Sequence, residues 1–347
     1  MNIKQVTRNV IAHALYYSGI LSLLAKIRFN NRALVLMYHR VVTEEERNNC
    51  FSQDGIIVTA GTFEKQMRFL RKHFNLLSLG DFIDCIENGR TYGRTSCLVT
   101  FDDGWGDNYR NAYSTLKQYR IHAVIFLATD FVGRKEQFWQ ERITELLYRC
   151  RRAFKSKSDL MVSMEKELAD AHIGRIIRCE QRNLRENLSG YISLLKKKSK
   201  EERERIIADL SQLVKDLAPG APEEEVFMNW DEIRDMAASG ISFASHGKSH
   251  VILTRLSKPE VEREARESRI AIEEALGVPV AAFSYPNGDY SEDVIDAVRD
   301  CGYRAAFTTR EGPHEVGDDP FRIRRYNIHE DMTASIPMFM ARIVGLW

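Results

Sequence analysis

Two adjacent carboxylates follow a short apolar run in the sequence Leu98-Val-Thr-Phe-Asp-Asp-Gly-Trp-Gly-Asp107. Further along the chain, His246-Gly-Lys-Ser-His250 places two imidazoles four residues apart. On a helical turn, this spacing would bring both rings to one face, within reach of a single metal ion. One carboxylate of the Asp102-Asp103 pair could complete a His-His-Asp site while the other takes a proton from water. The two motifs together indicate metal-assisted hydrolysis.

Alternating strands and helices are predicted to position these motifs. Six short apolar runs predict strands, namely Ala33–Met37, Cys97–Phe101, Ala123–Leu127, Gly240–Ala244, Val280–Phe283 and Tyr303–Phe307. Polar residues follow several of these strands directly, as in Tyr38-His39, Asp102-Asp103, Ser245-His246 and Tyr285-Pro286-Asn287. In parallel α/β folds the carboxyl ends of the strands share one edge, where ligands bind. We therefore expect these polar residues to lie close together.

The alternation stops between about residues 134 and 222, where only helical patterns occur. Ser199-Lys-Glu-Glu202 there is a capping box at the start of one helix. This segment is predicted to be a helical insertion. Its excess of Lys and Arg fits either anionic lipid or sugar-phosphate groups, or a solvated helix face.

The overall composition is that of a globular protein with balanced charge. Among 347 residues, 50 Lys and Arg offset 49 Asp and Glu, so net charge gives no argument for nucleic-acid binding. The six cysteines are scattered and form no CxxC pair, which favours a reducing compartment. A cytoplasmic location is therefore expected.

Residues 1–30 are predicted to form an amphipathic helical segment. The segment lacks an uninterrupted apolar stretch of roughly 20 residues and a small-residue cleavage site, which argues against spanning or cleavage. Apolar residues recur at helical spacing, at Val6, Val10, Ala14, Tyr17, Leu21 and Leu24. Basic residues flank them, at Lys4, Arg8, Lys26, Arg28 and Arg32. Two interpretations stay open: peripheral contact with the inner membrane face, or a helix packed on the rest of the chain.

These motifs resemble those of the polysaccharide deacetylases, carbohydrate esterase family 4. Thr100-Phe-Asp-Asp-Gly104 resembles the first motif of that family, the segment from His246 to His250 the second, and Phe283-Ser-Tyr-Pro-Asn-Gly288 the third. The resemblance implies an α/β fold, a distorted and incomplete (β/α) barrel of about seven strands. This domain would occupy residues 31–347, interrupted by the helical insertion.

The resemblance also implies a role for each polar residue of the first two motifs. Asp102 would be the general base, and Asp103, His246 and His250 would bind a divalent metal ion. Zinc is the default metal for this ligand set, with cobalt, nickel and iron as alternatives. The third motif departs from the family pattern, which has arginine where Ser284 stands and an aromatic residue where Asn287 stands. The arginine expected to orient the base is therefore missing there.

The family supplies a general acid from a histidine near its last motif, which Tyr326-Asn-Ile-His329 resembles. His329 is therefore the candidate acid, with His39 as a competing candidate and His314, in a loop-like segment where solvation is expected, as a third. Substrate contacts are expected at His39, Trp105, Tyr285 and Asn287, which lie at or near strand ends.

The sequence thus predicts a metal-dependent hydrolase that removes N-acyl groups, mainly N-acetyl, from amino sugars of a polysaccharide or glycan precursor. Leu36-Met-Tyr-His-Arg40 resembles the family branch that acts on exopolysaccharides. Two alternatives remain: a deacylase or deformylase of a lipid-linked sugar at the membrane face, and a catalytically impaired glycan-binding barrel. The second alternative follows from the missing arginine.

Overall fold

A nine-stranded, mostly parallel sheet forms the centre of the computed structural model, which describes residues 3–156, 171–217 and 226–347. Its main path runs in the order β10-β1-β5-β6-β7-β8-β9, with β11 beside β1 and β4 beside β5; β2 and β3 pair separately. The strands are β1 (Arg32–Tyr38), β2 (Arg40–Val42), β3 (Ile57–Thr59), β4 (Asn75–Leu76), β5 (Ser96–Phe101), β6 (Ala123–Leu127), β7 (Ser242–Ser245), β8 (Ala282–Ser284), β9 (Ala305–Phe307), β10 (His314–Glu315) and β11 (Tyr326–Asn327).

The central strands are buried along almost their whole length. β1 and β5 pair in parallel from Ala33–Ser96 to Tyr38–Phe101, and every residue of β5 and β6 is buried. Strands covered on both faces read as continuous apolar runs, which is why the sequence shows them so clearly. The predicted α/β fold, an incomplete (β/α) barrel, is confirmed.

Short pairings near the C-terminus of the chain connect the two edges of the parallel sheet. Tyr326 of β11 pairs with Leu36 of β1, and Ile323 bridges to Phe307 of β9. With β11, seven parallel strands surround the barrel interior: β1, β5 to β9, and β11. The segment from Ile323 to Tyr326 consequently lies between the first and last strands.

The described residues form fifteen α-helices. They are α1 (Ile3–Tyr17), α2 (Ile20–Arg28), α3 (Glu44–Asn49), α4 (Ala60–His73), α5 (Leu79–Glu87), α6 (Tyr113–Tyr119), α7 (Trp139–Ser156), α8 (Ala171–Arg178), α9 (Gln181–Leu195), α10 (Lys200–Leu217), α11 (Trp230–Ala238), α12 (Lys258–Leu276), α13 (Glu292–Asp300), α14 (Glu330–Thr333) and α15 (Ile336–Ile343). Sequence signals define several ends: Ser257 and Glu260 form a capping box at the start of α12, and Gly277 ends it in the left-handed region at φ 69°.

The chain divides into two compact units. The barrel unit comprises Met1–Asn48, Asp54–Arg134 and Glu225–Trp347, and the helical unit comprises Asn49–Gln53 and Lys135–Glu224. The helical unit has its own apolar core, which includes Ile143, Leu147, Ile176, Leu188 and Leu210. The sequence placed this insertion at about residues 134–222.

The N-terminal segment forms two helices, because Gly19 adopts φ 80° between α1 and α2. Both helices pack against α15. No single helix among the described residues has the length and apolar character needed to cross a membrane. The pair Gln5–Tyr17 and Ile20–Arg28 meets that criterion only when taken together, with a bend of 83° between its members.

His314 is fully buried, contrary to the expected solvated loop position. Its ring centroid lies 5.6 Å from that of Phe82 and 6.0 Å from that of Tyr92. Within the described residues neither ring nitrogen has a hydrogen-bond partner. Burial lowers the pKa of His314 to about 4, an effect that Asp318 opposes and Arg324 reinforces.

We expect His314 to make the protein less stable at mildly acidic pH. The unfolded chain takes up a proton below about pH 6.5 and the folded chain only below about pH 4, so the free energy of unfolding falls as pH decreases between these values. From pH 7 to pH 5 the loss from this residue is about 2 kcal/mol. In urea unfolding, His314→Phe should lose less stability over this interval than the wild type. Replacing the exposed His122 by Phe is the matched control, and an unchanged pH dependence in His314→Phe would contradict the assignment.

Candidate active site

A sharp turn at the end of β5 separates the side chains of the two adjacent aspartates. Asp103 and Gly104 both adopt the left-handed region, at φ 77° and 78°. A Cβ atom at Gly104 would lie 2.7 Å from Cδ2 of Leu127, so the turn requires glycine in conformation and in space. The turn leaves Asp103 facing the two histidines and Asp102 facing an arginine.

Asp103, His246 and His250 form a compact cluster. Oδ1 of Asp103 lies 3.3 Å from Nε2 of His246 and 3.3 Å from Nε2 of His250. The three potential ligand atoms all lie within 4.8 Å of one another. Asp103 and His246 are buried, and His250 is partly buried. The structure thus brings together the three residues that the sequence predicted as metal ligands.

The cluster fits a divalent metal ion in its donor chemistry. Oδ1 of Asp103 is buried without a hydrogen-bond partner among the described residues. Nδ1 of His246 lies 2.8 Å from the carbonyl oxygen of Ser284, a contact that leaves Nε2 directed at the cluster. Burial alone would raise the pKa of Asp103, but His250 and His246 hold it well below its usual range. A carboxylate and two imidazoles are a ligand set for zinc and related transition metals.

The segment from His246 to His250 is a loop, so the expected helical turn is wrong. Gly247 and His250 adopt left-handed conformations, at φ 76° and 55°, and these bends bring the two rings together. Glu264 of α12 holds the loop, because its carboxylate accepts hydrogen bonds from the backbone N–H of Lys248 and of Ser249, both at 2.8 Å. The histidine spacing is therefore satisfied by an anchored loop.

Trp105 orients the carboxylate of Asp103. Its indole Nε1 donates a hydrogen bond to Oδ2 of Asp103 at 2.9 Å. The ring is fully buried, with the Arg40 guanidinium 4.6 Å from its centroid and the Phe227 ring stacked at 4.8 Å. Asp107 fixes Arg40 through a 2.8 Å ion pair. The expected substrate contact at Trp105 is wrong, because the ring has no exposed surface.

Arg325 supplies the guanidinium that the third motif lacks. It is fully buried, and its Nη1 and Nη2 donate to Oδ1 and Oδ2 of Asp102, both at 2.7 Å. Ser284 Oγ accepts a hydrogen bond from Nη2 at 2.9 Å and lies 3.3 Å from Oδ2 of Asp102. The carbonyl oxygen of Thr308 accepts from Nε at 2.9 Å. The sequence analysis missed Arg325, although it directly precedes the segment chosen for the general acid.

The environment of Asp102 keeps its carboxylate ionised. Burial alone would raise the pKa of Asp102, but Arg325 and then His246 lower it below the usual value. Two nearly parallel N–H···O contacts also fix the plane of the carboxylate. Asp102 is thus charged, oriented and distinct from the cluster that Asp103 completes.

His39 and His329 interact electrostatically, but the carboxylate with the largest effect differs: it is Asp103 for His39 and Asp331 for His329. Burial lowers the pKa of His39, and the charges of Asp103 and Asp102 oppose this effect. Burial also lowers the pKa of His329, opposed first by Asp331; His39 lowers it further. Nδ1 of each ring is buried without a hydrogen-bond partner in the described part of the chain. In both histidines Nδ1 is therefore a buried polar atom whose hydrogen-bonding capacity is unused among the described residues.

The two remaining expected substrate contacts differ in exposure. Tyr285 is fully buried, and its hydroxyl donates to the carbonyl oxygen of Phe321 at 3.1 Å, so a substrate contact by its side chain is wrong. Asn287 is exposed at φ 60°, and its Nδ2 donates to Asp289 at 2.7 Å. A substrate contact at Asn287 stays a prediction.

We expect Trp105→Phe to weaken divalent-metal binding. The substitution keeps the buried ring but removes the N–H that orients Asp103. Loss of such an outer hydrogen bond typically weakens metal affinity by about 10- to 100-fold. Zinc titration followed by calorimetry checks this, with Trp139→Phe in the helical unit as the matched control. Unchanged zinc affinity in Trp105→Phe would show that the indole does not position Asp103.

Comparisons with known proteins identify one family. The sequence model of the polysaccharide deacetylase family matches residues 89–165 and 200–306, more than half of the chain. The poly-β-1,6-N-acetyl-D-glucosamine N-deacetylase of Staphylococcus aureus (strain MSSA476) is 35% identical over 113 residues, which cover 30% of this chain and 39% of that enzyme.

Solved structures are similar over most of the chain. The Streptococcus pyogenes deacetylase PplD in complex with acetate superposes with a TM-score of 0.57 at 17% identity, covering 90% of this chain and 98% of that one. IcaB from Ammonifex degensii gives a TM-score of 0.56 at 18% identity, with 89% and 97% covered. At these identities the structural likeness shows the fold. The family match shows that this chain belongs to the polysaccharide deacetylases, hydrolases that act on the carbon–nitrogen bond of N-acetyl groups.

Proposed function

We propose that this protein is a metal-dependent N-deacetylase of an amino-sugar polysaccharide. The observation that carries the proposal is the division of the adjacent aspartates between two environments. Asp103 belongs to the cluster with His246 and His250, and Asp102 is held apart by Arg325. Hydrolysis of an amide needs an activated water and a group that takes its proton, and this arrangement supports both requirements.

Asp103, His246 and His250 would hold the metal ion, with zinc as the proposed metal and cobalt, nickel or iron as alternatives. A zinc ion bound by three protein ligands acts as a Lewis acid and lowers the pKa of water to about 7. The protein contributes the fixed ligand geometry. Glu264 anchors the histidine loop, and Trp105 fixes Asp103.

Asp102 is proposed as the general base. Its pKa lies below the usual value, so the carboxylate can accept a proton at neutral pH. The Arg325 fork limits rotation of this carboxylate and keeps one orientation ready for the reaction.

The general acid for the departing amine is proposed to come from the neighbouring histidines His329 and His39. His329 is the candidate from the sequence, whereas the charge interactions of His39 with Asp103 and Asp102 support His39. The residue that does not transfer the proton would contact the substrate. A backbone N–H near the exposed Asn287 is proposed to stabilise the oxyanion.

The proposed substrate is an N-acetylated exopolysaccharide or glycan precursor. Support comes from the Staphylococcus aureus relative, whose name specifies poly-β-1,6-N-acetyl-D-glucosamine. A lipid-linked sugar would use the same chemistry and is the second candidate, supported by the exposed apolar residues of α1 and α2. The alternative of a catalytically impaired barrel was based on the missing arginine. Arg325 supplies a guanidinium to Asp102 instead, so this basis no longer applies.

A cytoplasmic location is part of the proposal. All six cysteines lie in the described ranges and none forms a disulfide bond, in keeping with a reducing compartment.

We expect substitution of the two adjacent aspartates to separate metal binding from catalysis. Asp103→Ala should lose the metal, because it removes a ligand, whereas Asp102→Asn should retain the metal and lose about 10²- to 10⁴-fold in rate. Metal analysis and deacetylation of short N-acetylglucosamine oligomers check this. The exposed Asp209 of the helical unit, replaced by Asn, is the control. Full activity in Asp102→Asn, or absence of metal from the purified wild type after zinc addition, would refute the proposal.

We expect Arg325→Met to lower the deacetylation rate by about 10²-fold without loss of the metal ligands, because the base loses its fixed orientation. Arg325→Lys should recover little, since an ammonium group cannot make the bidentate contact. The neighbouring Arg324→Met is the matched control. Circular dichroism would check the fold of each variant.

A double variant tests whether a guanidinium at position 284 can replace the one at position 325. Ser284→Arg combined with Arg325→Ser restores the family pattern of the third motif, and we expect it to regain part of the rate lost in Arg325→Ser alone. Wild-type rates in Arg325→Met would show that Arg325 does not act on the base.

A further inference from the structure

The inner sides of α1 and α2 are fixed to the barrel unit. Ala12, Leu21 and Ala25 are buried in its core. Nε2 of Gln5 donates a hydrogen bond to the backbone carbonyl oxygen of Asp331 at 3.1 Å, and Nε of Arg28 donates to the Tyr326 hydroxyl at 2.9 Å. The outer sides of both helices are therefore held in a defined position.

The outer sides carry an unusual concentration of exposed apolar residues. Among the described residues, eleven large apolar side chains are exposed, and seven of them belong to these two helices. The seven are between 42% and 79% exposed and define the N-terminal face: Val6, Val10, Ile11, Tyr17, Ile20, Leu23 and Ile27. Scattered apolar residues are normal on a protein surface, but a clustered apolar face marks an interaction surface.

The charge of this part of the chain has one sign. The sequence contains no acidic residue before Glu44, whereas Lys4, Arg8, Lys26, Arg28 and Arg32 are all basic. Lys26 is exposed beside the apolar residues of α2. Arg32 forms an ion pair with Glu315, Arg8 contacts Met332 and Trp347, and Arg28 contacts Tyr326. Among the side chains that the structure describes, Lys26 is therefore the exposed cation at the N-terminal face.

We propose that the N-terminal face docks on a lipid bilayer whose surface carries anionic headgroups. A helix with one apolar face and flanking basic residues lies in the plane of the interface, with its apolar side chains in the boundary between headgroups and acyl chains. Tyr17, the most exposed of the seven, has the amphipathic ring that is enriched at this depth. Lys26 supplies attraction to the negative surface.

The charge argues against a second copy of the chain as the occupant. A symmetric dimer contact would place the same patch on both subunits against itself. Both copies would then place Lys26 in the contact, and the segment contributes no acidic residue to offset the two like charges. An anionic bilayer offers the opposite charge and an apolar layer together.

In a docked protein, the helices at the membrane surface would also contact the segment that contains Arg325 and His329. α1 bonds to Asp331, two residues beyond His329, and α2 bonds to Tyr326, next to Arg325. The helices that carry the N-terminal face thus contact the segment that follows the base-orienting arginine. The inference goes beyond the proposed deacetylation and does not depend on it.

Vesicle co-sedimentation of the full chain tests this surface. We expect binding to vesicles of phosphatidylglycerol with phosphatidylcholine, weaker binding at high salt, and little binding to phosphatidylcholine alone. The double variant Leu23→Ser/Ile27→Ser should bind at least about tenfold more weakly. The matched control, Ile270→Ser/Val278→Ser, removes two exposed apolar side chains from elsewhere in the barrel unit and should bind as the wild type does. Circular dichroism verifies that both variants fold.

Two substitutions keep the test informative if the double variant unfolds. Lys26→Glu reverses the exposed charge and should reduce binding to phosphatidylglycerol vesicles. Leu23→Trp places an indole on the N-terminal face, and its fluorescence should shift to shorter wavelength when these vesicles are added, whereas Val278→Trp should show no shift. Absence of vesicle binding, or equal binding by the double variant and its control, would overturn the proposal. So would a concentration-dependent dimer that Leu23→Ser/Ile27→Ser abolishes, since a second copy would then cover this face.

Discussion

The buried ion pair between Arg325 and Asp102 is the contact on which the catalytic arrangement depends. Two charges removed from water are favourable only when their geometry and remaining hydrogen bonds are satisfied, and here Ser284 and Thr308 complete the guanidinium contacts. The pair also joins the end of β5 to the segment beside β11, so the interaction that orients the Asp102 carboxylate also ties the last strand to the centre of the sheet. Closure of the barrel and the orientation of Asp102 therefore depend on the same contact.

The adjacent aspartates show how one turn produces two chemical environments. Asp103 and Gly104 both bend into the left-handed region, and this sends one carboxylate to two imidazoles and the other to a guanidinium. Burial opposes ionisation of both carboxylates, and the cationic partners overcome it in each case. Asp103 therefore keeps an oxygen atom, Oδ1, that could bind a metal ion, whereas the plane of the Asp102 carboxylate is fixed by Arg325.

Local sequence signals predicted the strands and the grouping of Asp103 with His246 and His250, because apolar runs and residues at strand ends are visible in one dimension. They could not predict how His246 and His250 meet, since this depends on left-handed bends and on Glu264 from a distant helix. Trp105 illustrates the same limit: its place near a strand end suggested substrate contact, but Arg40 and Phe227 bury it. Arg325 was missed because its partner lies on another strand and no spacing rule connects them.

Arg325 comes from a later part of the chain than the cluster beside it. Asp103, His246 and His250 lie between positions 103 and 250, and their geometry depends on β5 and β7 and, through Glu264, on α12. The guanidinium comes from the segment between β9 and β11, later in the chain than all three residues of that cluster. A chain cut before Arg325 would lack the two contacts that fix the plane of the Asp102 carboxylate. The orientation of Asp102 thus depends on the same segment that connects β9 to β1 at the edges of the sheet.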